Sequence, residues 1–465
     1  MLEQIVSNVN NNMSYILIII LIAGGIYFTI RTKFAPFRLF REQIRAVMEK
    51  PTDGKSVSSF QALMVSTASR VGTGNIVGVS TALCFGGFGS VFWMWLIAII
   101  GSASAYIEST LAQIYKKKGA GGYYGGPAYY IETALKCRPL AVVFSVLLIL
   151  TYGFGFNMLA SYNLQSTFSS YDFYNTEITP WIVGLITAAV VCYCLMGGGS
   201  RVVKTTSVLV PVMGVAYILI AIIIICLNIT SLSSVFKAIF SQAFDFKAIF
   251  GGFTGSCVMY GIKRGLFSNE AGVGSAPNAS ASAEVSHPAK QGLVQVLSVF
   301  IDTILICSAS AFVCMCSGVE PTKELSGAPY IQAALRETLG AFGPAFITVA
   351  MILFAFTTLI GNLYYVDQCL AHLLGRAPGK RFSFVYHIIA SVIILIGAGL
   401  NAGLLWDLAD ILMGCMTLIN MPVILYLSKY AIRTLKDYEM QRKKGTEPVF
   451  LAKNIDLPHD VDCWK

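Results

Sequence analysis

Two short strings gather helix-breaking and polar residues inside otherwise apolar sequence. The first is Ser66-Thr-Ala-Ser-Arg-Val-Gly-Thr-Gly-Asn75, continuing to Gly78; the second is Gly265-Leu-Phe-Ser-Asn-Glu-Ala-Gly-Val-Gly-Ser-Ala-Pro277. Each glycine costs about 1 kcal/mol in a helix interior relative to alanine. Helices carrying Gly72 and Gly74, or Gly272 and Gly274 with Pro277, are therefore expected to break there. A break at membrane depth is tolerated where it lines a cavity or is buried in protein. It exposes half-helix ends, whose N–H groups favour an anion such as a carboxylate and whose freed carbonyls favour a cation. That combination suits a zwitterion plus Na⁺. Close helix packing through small residues is the alternative reading, and Gly74 with Gly78 has that spacing. A dinucleotide-binding G-x-G follows a strand, and this one lies inside an apolar run, so that chemistry is excluded.

The elements that must position these strings are membrane helices. Of 465 residues, 55% are hydrophobic and only 12% charged, against about 25% charged in soluble domains. Lipid must therefore solvate most faces. Apolar runs suitable for crossing lie near 14–30, 60–83, 90–115, 140–168, 181–196, 207–227, 248–283, 293–316, 341–366, 383–400 and 404–427. At about 20 residues per crossing, these make about eleven spans. With the N-terminus outside, alternate connections and the C-terminal tail carry 26 of the 33 Lys and Arg, the opposite connections carry four, and Arg70, Lys263 and Arg264 lie within spans. That asymmetry is the positive-inside pattern, so the excess positive charge reports membrane orientation and not nucleic acid. The first run precedes Arg31 and Lys33, the reverse of a signal peptide, and reads as a retained span. Gly125–Leu135 is expected to be a short helix on the cytoplasmic side, and the tail beyond Tyr438 reads as polar and solvated. The twelve cysteines fall mostly in apolar runs and read as small core residues.

The first broken helix opens five spans over 60–227 and the second opens five over 248–427. Unusual segments at corresponding positions of two halves mark a transporter site, and an odd number of spans inverts the second half. The expected architecture is an all-α membrane protein with a 5+5 inverted repeat behind one extra helix. Its parts are an N-terminal helix and basic linker at 1–58, repeats at 59–230 and 245–428, and a cytoplasmic tail at 429–465.

At these residues the chain resembles the alanine/glycine:cation symporters, a family of sodium-coupled amino-acid carriers. The resemblance runs from about residue 15 to about residue 440. It is carried by Thr67–Val79, Val91–Trp95, Gly126–Ile131, Phe267–Ala279 with His287-Pro288, and Asp302-Thr303 followed by Ile306-Cys307-Ser308. It implies the leucine-transporter fold and alternating access. By that resemblance, the carbonyls of Ala68, Val71 and Phe354 and the hydroxyls of Thr357 and Thr358 would hold Na⁺; back-bonding to their own helix is the alternative role of these threonines. The N–H groups of Thr73, Gly74 and Asn75 would meet the substrate carboxylate. Ser268 and Asn269 would meet its ammonium group, with Asn157 a further candidate. Where many relatives have glutamine shortly after Asn157, this chain has Ala160-Ser161, which bears on selectivity.

Charges inside a membrane are costly and are usually functional or paired. Arg70, Glu108, Lys263, Arg264, Glu270 and Asp302 are three positive and three negative. Arg70 and Glu270 each adjoin a break, and a bridge between them would serve as an intracellular gate or as a static ion pair. A proton relay is a third option, which the histidines do not support: His287, His372, His387 and His459 all fall near span ends or in loops. The resulting expectation is Na⁺-coupled symport of alanine or glycine, with H⁺ coupling on the same fold as the alternative. No organic cofactor is expected. An ion channel is disfavoured by the absence of a repeated filter sequence. An enzyme or primary pump is disfavoured because G-x-S-x-G, H-E-x-x-H and a P-loop are all missing.

Overall fold

A computed structural model describes residues 2–51, 56–119, 122–245, 252, 256–457 and 460–464. Lys55, Lys247, His459, Lys465 and the expected start of a span at 248 lie outside the described residues. Helices dominate. Eight of them among the described residues are long and apolar enough to cross a membrane, and Gly74–Gly86 and Thr179–Leu195 are shorter apolar helices.

The chain opens with α1 (Leu2–Arg31), a helical turn at Ala35–Arg38 and α2 (Phe40–Val47). Next comes α3 (Ser59–Arg70), started by a reciprocal cap in which Ser58 and Gln61 exchange side-chain and backbone hydrogen bonds. It stops at Val71, whose ψ of 88° leaves the helical region. A π-helical turn at Gly74–Gly78 restarts the helix, which continues as α4 (Val79–Gly86). Beyond it lie α5 (Ser90–Ile114) and α6 (Pro127–Leu135). Then α7 (Arg138–Leu148) runs through a π-helical stretch at Ile149–Gly155 into α8 (Phe156–Ser166). The first half closes with α9 (Thr179–Leu195) and α10 (Gly198–Leu227).

The second half begins with α11 (Leu232–Ala243) and α12 (Cys257–Asn269). The break after α12 uses left-handed backbone at Glu270, Gly272 and Gly274 (φ 53°, 86° and 91°), ending in a helical turn at Pro277–Ser280. His287 then caps α13 (Pro288–Val299), which passes through a π-helical stretch at Phe300–Cys307 into α14 (Ser308–Cys316). The chain ends with α15 (Ala328–Leu339), α16 (Phe342–Leu374), α17 (Lys380–Ala398) and α18 (Ala402–Lys443).

The interior is built where α5 packs against α12 and α13, and where α3 lies between α10 and α16. α1 seals α18 and α5 from outside, and α9 pairs with α17. Lipid-type surface covers the outer helices: Leu185, Ile186 and Val190 of α9 and Val208, Val212 and Val215 of α10 are all exposed. α11 and α15 fall where connections are expected; at 12 residues each they are shorter than the about 20 needed to cross and leave no spanning pattern in the sequence. α16 and α18 run past their expected ends at 366 and 427, because helix continues beyond the apolar stretch. The Gly-rich stretch after α5 forms a small antiparallel ribbon, Lys117–Gly119 with Gly122–Tyr124. The solvated-tail reading also needs correcting: Phe450 and Ile455 are buried, because the segment after α18 folds back on the protein.

Candidate functional site

The two breaks meet in the interior and are tied together by one asparagine. Asn75 accepts a hydrogen bond from the Gly72 N–H at 2.8 Å. Its Nδ2 donates to Ser268 Oγ at 3.0 Å and to Asp302 Oδ1 at 2.7 Å. Ser268 in turn donates to Asp302 Oδ2 at 2.6 Å, and Thr303 does so at 2.7 Å. The knot therefore joins the first break, the end of α12 and the π-helical stretch after α13. π-helical turns recur at functional sites, and here two of them supply Asn75 and Asp302. All four side chains are buried, so each hydrogen bond spares a desolvation cost of about 1–3 kcal/mol.

Beside this knot, α16 presses on the first break. Thr358 Oγ1 donates to the Ala68 carbonyl at 3.1 Å. A Cβ at position 72 would stand 2.0 Å from Thr358 Oγ1, and one at position 361 would stand 2.9 Å from Ser69 N, so both positions need glycine. Ala68 and Thr358 thus bring two neutral oxygens together next to Val71, the first residue off the helix. Thr357 points elsewhere: its hydroxyl donates to Leu353 O at 3.0 Å and Phe354 O at 3.1 Å, beside Met213 Sδ. Buried oxygens without formal charge suit a hard monovalent cation, so the donors at Ala68 and Thr358 fit Na⁺, while Thr357 would have to change rotamer to join them.

A narrow cavity of about 10 Å³ adjoins Thr358, the size that holds about one water. Arg70, Gly72, Thr73, Gly74, Phe267 and Thr358 are among its walls. Phe267 lies over Gly74, where a Cβ would approach its ring to 2.7 Å. Its centroid is 4.6 Å from Phe156 and 4.8 Å from Trp406. Of the three amides expected to meet a carboxylate, that of Asn75 closes a turn onto Gly72 O at 3.2 Å. Thr73 and Gly74 are the two that line the cavity, and Thr73 Oγ1 accepts from Asn163 at 3.1 Å. Ser268, Asn269 and Asn157 stand behind the wall. Asn157 accepts from Asn362 at 2.9 Å and Asn269 from the Ala271 N–H at 3.0 Å, while the Nδ2 of each has no partner among the described residues.

On the other side of Arg264 and Trp406 lies a larger cavity of about 650 Å³, with Ser7, Gln165 and Gly403 also among its walls. Arg264, Trp406 and Phe267 form the partition between the two spaces. The Arg264 guanidinium lies 4.2 Å above the Trp406 ring and pairs with Asp410. Lys263 reaches the same carboxylate at 3.5 Å, and Asn10 donates to Asp407 at 2.6 Å. Asp407 and Asp410 are not among the residues expected from sequence. Two acids three residues apart inside an apolar helix were the available signal, since such charges seek a cation.

The expected bridge between Arg70 and Glu270 does not form. Arg70, at the end of α3, donates across to Gln295 of α13 at 3.1 Å, and its Nε and Nη2 have no partner among the described residues. Glu270 adopts left-handed backbone and turns its carboxylate into its own loop, accepting from Ser275 at 2.6 Å and Ser69 at 3.4 Å. Glu108 braces that loop from α5, accepting from the Gly272 N–H at 3.3 Å and Asn420 at 2.9 Å. Three buried carboxylates, Glu108, Glu270 and Asp302, therefore surround the breaks, each held by neutral donors.

Residues 1–452 match the family model described as the sodium:alanine symporter family. The chain belongs to the sodium:alanine symporter family. Like other members of this family it is a multi-pass membrane carrier and not an enzyme. Among its relatives, the amino-acid carrier protein AlsT of Bacillus subtilis is 43% identical, covering 96% of this chain and 94% of its own. The protein described as "Probable sodium/glutamine symporter GlnT", also of Bacillus subtilis, is 42% identical over 100% and 96% of the two chains. The sodium/alanine symporter AgcS of Methanococcus maripaludis is 35% identical over 94% and 98%. The family match spans both breaks.

Proposed function

We propose that this chain couples the entry of Na⁺ to the import of small neutral amino acids, alanine and glycine, by alternating access. The observation that carries this reading is the meeting of two helix breaks at one point. Amides and carbonyls freed there lie beside the Ala68–Thr358 oxygens, and one cavity adjoins both. An inverted repeat of 5+5 spans behind α1, about eleven in all, accounts for the paired breaks. The basic connections support an N-terminus outside and a tail in the cytoplasm.

In this mechanism Na⁺ is held by the carbonyls of Ala68, Val71 and Phe354 with Thr358, and Thr357 would join them only by leaving its bonds to Leu353 and Phe354. The substrate carboxylate rests on the amides of Thr73 and Gly74. Asn75 fixes that corner, and Ser268, Asn269 and Asn157 set the polar surroundings of the ammonium group. The ion and the carboxylate compensate one another, so each raises the occupancy of the other. The narrow cavity under Phe267 must widen to admit any amino acid, and the family to which the chain belongs favours alanine over the glutamine named for one relative. Entry requires Phe267 and the Arg264–Asp410 pair to swing aside as an outer gate. Arg70, Glu108, Glu270 and Asp302 then hold the breaks in register while the inner side opens.

The test is uptake of labelled alanine into proteoliposomes with and without an inward Na⁺ gradient, with Thr358→Ala alongside. Uptake that needs Na⁺ and falls in the variant is the expected result. Uptake driven equally by a proton gradient alone would replace the sodium assignment with H⁺ coupling. Channel-like flux without saturation would remove the carrier reading.

A further inference from the structure

The segment after α18 contributes to a closure that the transport reading leaves unassigned. It returns across the face where α2 and the ribbon lie. The Phe450 N–H donates to Ser286 O at 2.9 Å, and Ser286 Oγ donates to Pro448 O at 2.8 Å. Glu447 pairs with Lys290 at 2.7 Å, and Lys290 also holds Glu49 at 2.9 Å. The Phe450 ring stands edge-on to His287 and to Trp464, with centroids 5.3 Å away in both cases. Trp464 Nε1 donates to Gln113 O at 2.8 Å at the end of α5.

What Trp464 rests on gives this contact its meaning. It packs against a small cluster of Ala62, Ala283 and Val285, joined by Val57. Val57 pairs with Ala283, and the Glu284 N–H donates to Val57 O at 2.9 Å. This is the foot of α3, and the other end of the same 12-residue helix carries Ala68 and the break. Lys116 completes the clamp, donating to Ala283 O at 2.9 Å with its ammonium 5.0 Å from the Trp464 ring. The narrow cavity and this contact lie at opposite ends of α3, so parting the α3 foot from the 281–287 stretch and the end of α5 would open the protein on this face. Trp464 bridges all three.

We propose that the C-terminal segment is an inner latch, with Trp464 and Phe450 holding the foot of α3 shut so that their release sets how readily the pathway opens on this face. The proposal rests on the transport reading for its purpose but not for its test. The experiment is hydrogen–deuterium exchange of the full chain in lipid nanodiscs, following amides of Ser59–Arg70. Trp464→Ala, and Trp464→Ala combined with Phe450→Ala, are expected to speed exchange there by about tenfold, since local opening sets protection. Trp464→Phe, which keeps the ring, should restore most of the protection. If the double variant frees Thr446–Leu457 yet leaves Ser59–Arg70 as protected as in the wild type, the segment is packing only and the latch is overturned. A responsive α3 in a protein that shows no Na⁺-driven uptake would support the latch while removing the transport reading.

Discussion

Two adjacent threonines turn to different partners. Thr358 meets the Ala68 carbonyl across helices, whereas Thr357 bonds back to Leu353 and Phe354 in its own helix. Their single substitutions should therefore differ. Thr358→Ala is expected to raise the Na⁺ concentration for half-maximal uptake by about tenfold, the effect of losing about 1.4 kcal/mol of binding, and Thr357→Ala by clearly less. A Na⁺ titration of alanine uptake measures both, and equal shifts would mean that Thr357 rotates into the site when the ion binds. Asp302→Asn puts an amide where Asn75, Ser268 and Thr303 all donate. It should cost about 1–3 kcal/mol, because the network loses one of its two acceptor oxygens and an NH2 group faces donors there, and appear as a lower melting midpoint in detergent. The strings holding these residues were legible from their glycines and polar side chains. Which partner each side chain chose was not: Asn75 could equally have faced a ligand, and only the arrival of Asp302 from far along the chain decides the matter.

At the scale of elements, the breaks were readable because a helix cannot keep Gly72, Gly74, Gly272 and Gly274 cheaply. Their consequence for Glu270 was not readable, since left-handed backbone there sends its carboxylate into its own loop and leaves Arg70 to Gln295. α11 and α15 were missed for a different reason: an amphipathic helix too short to span carries no signal in a hydropathy search. Removing the acid that unites α12 and α18 should loosen the partition above the cavity. Asp410→Asn strips Arg264 and Lys263 of their shared partner. Faster modification of a cysteine placed at Thr73 by a reagent added from the N-terminal side is expected, in a background lacking the exposed native cysteines. At the cap of α13, burial holds His287 below its ordinary pKa of 6.5, outweighing the upward pull of Asp437. The folded protein therefore binds this proton less readily than the unfolded chain. Stability should be retained above the ordinary value and decline as pH falls beneath it. A melting midpoint that drops between about pH 7 and about pH 5 in the wild type, and drops less in His287→Gln, is the expected record.

For the whole molecule, composition alone announced lipid as the solvent, and the distribution of lysine and arginine announced an orientation. Labelling with a membrane-impermeant reagent on intact cells should reach a cysteine placed at Ser7 and spare one placed at Lys444. The reverse pattern would invert the topology. The fold-back of the C-terminal segment was invisible, because Phe450 and Trp464 lie in polar surroundings and gain meaning only once α3, α5 and α13 end at the same place. One element links that face to the other. α18 has 42 residues, about 63 Å of helix at about 1.5 Å per residue, roughly twice the hydrocarbon thickness of about 30 Å. One end bears Trp406, Asp407 and Asp410 at the outer partition; the other hands the chain to the segment that meets α3. Pro422, near its middle, removes one backbone hydrogen bond and offers a bending point. A rigid rod of that length would act as a lever with its fulcrum near Pro422, and a tilt imposed at one end would be felt at the other.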